Sequence, residues 1–71
     1  MSSNWTPEAW STQAIENAIY SFATALSRHN RKLAAELEAE WMNGSHKRAV
    51  GIAVFHKLAD ALEAAWAVQG A

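Results

Sequence analysis

His56, Asp60 and Glu63 are spaced four and three residues apart, which places an imidazole and two carboxylates on one outward helix face, a permissible start for a metal site. The rest of that chemistry is missing. Helical di-metal centres draw on inward-facing Glu and on Glu-x-x-His pairs from opposed helices, and no Glu-x-x-His occurs in the chain. His29 borders an apolar stripe, where it reads as a core-edge histidine or, across a dimer interface, as a pH-sensitive contact. Nucleophilic and acid–base catalysis lack their parts as well: there is no Cys, no Gly-x-Ser-x-Gly turn, no glycine loop shaped for phosphate, and no carboxylate pair with a pocket between them. The chain therefore reads as a non-enzyme without cofactor or metal.

Binding is the chemistry that remains. Arg28, Arg31 and Lys32, with Lys57 across a helical hairpin, form a candidate basic cluster for phosphate or an acidic protein surface; the plainer reading is a solvated face relieved by Glu36 and Asp60. A second candidate surrounds the turn at Asn43, Gly44 and Ser45. Trp41 there is either packed against the following helix or exposed as an aromatic anchor. Glu36, Glu38 and Glu40 precede the turn, and His46, Lys47 and Arg48 follow it, each block carrying the wrong sign for its helix end. Pairing of Glu40 with Lys47 or Arg48 would offset both misplacements. Two helices joined at a glycine, the second opening with Lys47 and Arg48, also resemble a DNA-binding helix-turn-helix in outline. The outline fails in detail: Glu40 stands four residues before the glycine, where a small residue is needed, and the second helix is too broadly apolar to read a groove.

These residues are positioned by helices. Ile15, Ile19, Phe22, Leu26, Leu33, Leu37 and Trp41 fall within an arc of roughly 100° at helical periodicity. Thr6 as N-cap, Pro7 at the first helical position, Glu8 in the first turn and a Trp5–Trp10 staple announce the start. The weak place is residues 27–30, where Asn30 could cap a new helix. A start there would set Arg31 and Lys32 against the dipole, and the apolar phase is unshifted across it. The expectation is one long helix, gently kinked at most, over about 7–42. Gly44 closes it in the left-handed conformation, and Ser45 caps a second helix over about 46–68. Val50, Val54, Phe55, Leu58, Ala61, Leu62, Ala65, Trp66 and Val68 line one side of that helix over roughly 160°, wider than one neighbour covers.

Length sets the remaining bounds. The chain has 71 residues with a net charge of −1, so a single small core contributes only ~3 to 5 kcal/mol and no whole-molecule field draws it to nucleic acid or anionic lipid. No basic start followed by an apolar run reads as a signal peptide, and no apolar stretch approaches the ~20 residues that span a bilayer. The reading is an all-α, cytoplasmic protein: a short lead-in over 1–5, then one helical domain over 6–71. Its helical hairpin would pair with a second copy into a four-helix bundle, or close as a three-helix bundle if the chain bends at Asn30. In function it reads as a small protein–protein interaction module: an adaptor, regulatory subunit or inhibitor, a class to which phages and mobile elements contribute. The surfaces would be Arg28, Arg31, Lys32 and Lys57, and the turn with Trp41, Lys47 and Arg48. A DNA- or RNA-binding regulator is the alternative.

Overall fold

The computed structural model describes residues 5–70. A 3-10 turn, Pro7–Ala9, precedes three helices: α1, Thr12–Ser27; α2, Arg31–Asn43; and α3, Lys47–Gly70. No strand occurs among the described residues. Residues 1–4 of the lead-in and the side chain of Val68 lie outside that description. None of the helices is long and apolar enough to cross a membrane.

The helices run up, down and up around one core. Ile15 near the start of α1 meets Gly51 near the start of α3, and Leu26 at the end of α1 borders the same hollow as Ala61 and Ala65, so α1 and α3 are parallel. The buried set, Ile15, Ile19, Ala23 and Leu26 from α1, Ala34, Leu37 and Trp41 from α2, and Val54, Phe55, Leu58, Ala59 and Leu62 from α3, follows the expected apolar stripes. Side chains that share one helical face are buried together because removing each large aliphatic group from water contributes about 1.5–3 kcal/mol.

Several expectations are corrected. The long helix over 7–42 is broken: Asn30 leaves helical geometry (φ −152°, ψ 86°) and its Oδ1 accepts the amide of Leu33. Burial of both stripes against α3 outweighs the unfavourable dipole at Arg31 and Lys32. An unshifted phase is equally consistent with a helix that folds back so that both halves face one core. The α-helical start is corrected too. Thr6 makes no side-chain cap bond; Trp10 and Ser11 are extended, and Ser11 Oγ caps α1 by accepting from Ala14 N at 3.1 Å. That kink turns Trp10 onto Phe55. Trp66, expected in the core, is 53% exposed, because the 24 residues of α3 outrun the 16 of α1 and its last turns lack a neighbour.

Both interior glycines answer to space rather than to dihedral freedom. Gly44 is not left-handed (φ −72°, ψ 140°); a Cβ there would lie 2.7 Å from both Val50 methyls. α3 then begins at Lys47, so His46 rather than Ser45 stands at its N-cap position, its carbonyl accepting from Val50 N. Gly51 lets α3 close on both other helices: a Cβ there would lie 2.8 Å from Ile15 Cγ2 and 2.9 Å from Trp41 Cζ3. Both neighbours are fully buried, so neither can swing aside. Gly51→Ala is therefore expected to destabilise the fold by about 1–3 kcal/mol in chemical denaturation, although alanine is the better helix former; a stabilised variant would show that the helices separate freely.

Candidate functional site

The six Lys and Arg residues of the chain divide into two groups of different fate. Lys47, Arg48 and Lys57, although exposed, have partners within the chain. Lys47 reaches back across the turn, donating from Nζ to the carbonyls of Trp41 at 2.7 Å and Met42 at 3.3 Å while lying 4.5 Å from the centre of the Trp41 ring. A cation misplaced at the start of α3 thus satisfies the negative end of α2. The expected pairing with Glu40 is replaced: Glu40 Oε1 accepts from Lys57 Nζ at 2.7 Å. That pair lies about 12 Å along α2 from Lys32 at 1.5 Å per residue, which separates Lys57 from the cluster it was expected to join. Trp41 is 2% exposed, so the anchor reading of this residue does not hold; its indole is the wall against which Gly51 packs.

Arg48 holds the N-terminal segment. Its two terminal nitrogens donate to the carbonyls of Trp10 and Glu8, each at 2.8 Å. His56 Nε2 lies 3.2 Å from Glu8 Oε2. Between these two anchors Trp5 and Trp10 close edge-on over Phe55, at 5.6 and 5.0 Å between ring centres, with Phe22 at 4.8 Å. Edge-to-face aromatic pairs of this kind add about 0.5–1.5 kcal/mol to their buried area. His56 is thus an anchor for the strap, and no group of three or more metal-binding side chains converges among the described residues.

The second group is Arg28, Arg31 and Lys32, at the corner between α1 and α2. All three are exposed, and among the described residues none has a carboxylate within ion-pair distance. Arg31 edges a groove floored by Ala23, Ala34 and Ala35, with Ser27 and Glu38 on its rim. On the other side of the corner Leu26, Leu33, Ala61 and Ala65 line an apolar hollow. The corner therefore presents cations between two shallow depressions, one of mixed lining that includes Thr24, Ser27 and Glu38 and one mostly apolar that also includes His29 and Asn30. Of the sequence-derived candidates, the structure places these three at one corner, buries Trp41, and gives the still-exposed Lys47, Arg48 and Lys57 partners within the chain. Met42, 62% exposed, is apolar surface that the sequence reading did not single out, and Trp66, expected in the core, adds to it; the unequal helix lengths are the signal for Trp66.

No family model matches the chain, and no curated protein or solved structure is significantly similar to it.

Two outcomes follow for the strap. Arg48→Ala is expected to lower stability by about 1–2 kcal/mol and to red-shift tryptophan emission as Trp5 and Trp10 lift from Phe55; Arg48→Lys should not restore both, since an ammonium lacks the fork that spans two carbonyls. Hydrogen bonds from the backbone amide of Glu8 and then from His56 hold the Glu8 carboxyl below its ordinary value of 4.5. A depressed carboxyl stabilises the fold above that value and loses its contribution as pH falls through the folded one. The stability gap between wild type and Glu8→Gln should thus be present at neutral pH and shrink as acid protonates the folded-state carboxyl, in paired denaturant titrations.

Proposed function

We propose that this chain is a small, non-enzymatic, cytoplasmic protein–protein interaction module, an adaptor, regulatory subunit or inhibitor, that docks on an acidic surface of another protein through Arg28, Arg31 and Lys32. The observation that carries the reading is the placement of these cations. Arg31 and Lys32 occupy the first turn of α2, where no acidic residue accompanies them and where positive charge opposes the helix dipole by about 0.3–1 kcal/mol each. Among the described residues they make no compensating ion pair, whereas Lys57 pairs with Glu40 and Lys47 and Arg48 donate to backbone carbonyls. An acidic partner would supply the missing counter-charge, and the apolar floors on either side would bury its aliphatic side chains.

The alternative, a nucleic-acid-binding regulator, relied on Lys47 and Arg48 in addition to the corner. With those two engaged on backbone carbonyls, three cations remain for a phosphate backbone, beside Glu36 and Glu38, which favours the protein partner.

The variant Arg31→Glu/Lys32→Glu separates the role of these residues in folding from their role in binding. It should be more stable than wild type by about 1 kcal/mol, because acidic side chains suit the start of α2, yet bind the partner roughly a hundredfold less tightly. Affinity capture with wild type and variant as paired baits, followed by titration calorimetry with the protein recovered, reads both. Equal recovery by the two baits would refute the docking surface. Duplex binding by wild type that falls steeply between low and moderate salt would instead favour the nucleic-acid reading.

A further inference from the structure

Between α1 and α2 the helical hydrogen bonding barely lapses. The amide of Asn30 still donates to the Leu26 carbonyl at 2.8 Å, as it would within an α-helix, and the carbonyl of Asn30 already accepts from Ala34 N at 3.0 Å. Arg28 keeps right-handed helical angles (φ −72°, ψ −19°). The departure is concentrated at Asn30, and residues 27–30 contain no glycine, no proline and no positive φ.

Two features work against the break. Arg31 and Lys32 sit at the start of α2 without an acidic neighbour, an arrangement that exists only while a helix begins there. The core residues on either side, Ile15, Ile19 and Leu26 and then Leu37 and Trp41, keep one helical phase and would share a single stripe if the chain straightened. The Asn30 cap on Leu33 favours the break locally. Beyond it, the return of α1 onto its own α2 and α3 holds the turn.

We propose that this turn is a hinge, and that two copies of the chain exchange residues 5–27 across it. Asn30 becomes helical, α1 and α2 join into one helix over 12–43, and the α1 of each copy, with its N-terminal strap, packs on the α2 and α3 of the other. The Phe55 aromatic cluster, the Arg48 clamp and the approach of Ile15 to Gly51 are all remade between copies, so the core is the same in both forms. Straightening gives the amides of Arg31, Lys32 and Leu33 helical partners in the carbonyls of Ser27, Arg28 and His29, and it moves two cations from a helix end to a helix middle. Opposing it are the lost caps and the ordering of a second chain. The two hinges lie side by side at the crossing, so both sets of cations gather there and association strengthens as salt rises. The exchange needs no acidic partner, and its test is separate from that of the docking surface.

The chain has no cysteine, so spin labels can be placed cleanly by Gln13→Cys and Met42→Cys, both exposed positions. In the folded-back chain the two sites lie across the α1–α2 hairpin. In the joined helix they stand about 44 Å apart within one chain, at 1.5 Å per residue. Pulsed dipolar spectroscopy on labelled chain diluted in excess unlabelled chain, refolded from denaturant at low and high concentration, should show the long distance appear with a dimeric mass by light scattering. Asn30→Ala removes a cap and improves the helix at two hinges per dimer, so its dimer association should be tighter by about a hundredfold. Two glycines inserted after His29 should hold the chain monomeric with the short distance. The proposal is overturned if Asn30→Ala stays monomeric at millimolar concentration, or if any dimer keeps the short intrachain distance, which would mean association of unexchanged bundles.

Discussion

Gly51 is the point where three helices meet with no side chain between them. On one side the Ile15 methyl touches the backbone of α3, on the other the Trp41 ring, and both are buried. Much else depends on that approach. Trp41 must lie flat enough to leave room for α3, which puts its outer face under the Lys47 ammonium. The same ammonium then finds the carbonyls at the end of α2. With the turn fixed in this way, the next residue, Arg48, stands where it can clamp the N-terminal strap. The order runs from a missing Cβ to a packed indole, then to a capped helix, and from there to an aromatic lid over Phe55.

That chain of dependence explains what the sequence could and could not disclose. The helical class and the buried faces were legible because periodicity is a local property, and Ile15, Ile19, Leu26, Leu37, Val54, Phe55, Leu58 and Leu62 obey it. The break at Asn30 was not, since phase is conserved whether a helix continues or doubles back, and the capping residue and the adverse charges pointed in opposite directions. An interior glycine in an apolar helix is itself a signal of close approach, and Gly51 could have been found that way. The Arg48 and His56 anchors could not. They join residues about forty apart in the chain, and nothing in the spacing of Glu8, Trp10, Arg48 and His56 marks them as partners.

The basic residues illustrate why a charge run needs its setting. In the sequence, Lys47 and Arg48 look as available as Arg31 and Lys32. In the fold the first two satisfy carbonyls that would otherwise be left at a helix end and an irregular segment, a demand set by the backbone. The corner cations answer no such demand. Arg31 and Lys32 are locally unfavourable at the start of α2, and residues held where they oppose their own helix are where requirements beyond folding become visible.

The turn between α2 and α3 has a consequence for how the sequence can drift. Gly44 has ordinary extended angles, so any residue could adopt its backbone; the nearest obstacle to a side chain is the isopropyl group of Val50. The two positions therefore share one volume. A lineage could move that volume from one to the other, a larger residue at 44 with alanine or glycine at 50, without disturbing the helix directions. A glycine found to vary at this turn in a homologue would then be a sign of a compensated exchange six residues downstream, rather than of a different fold.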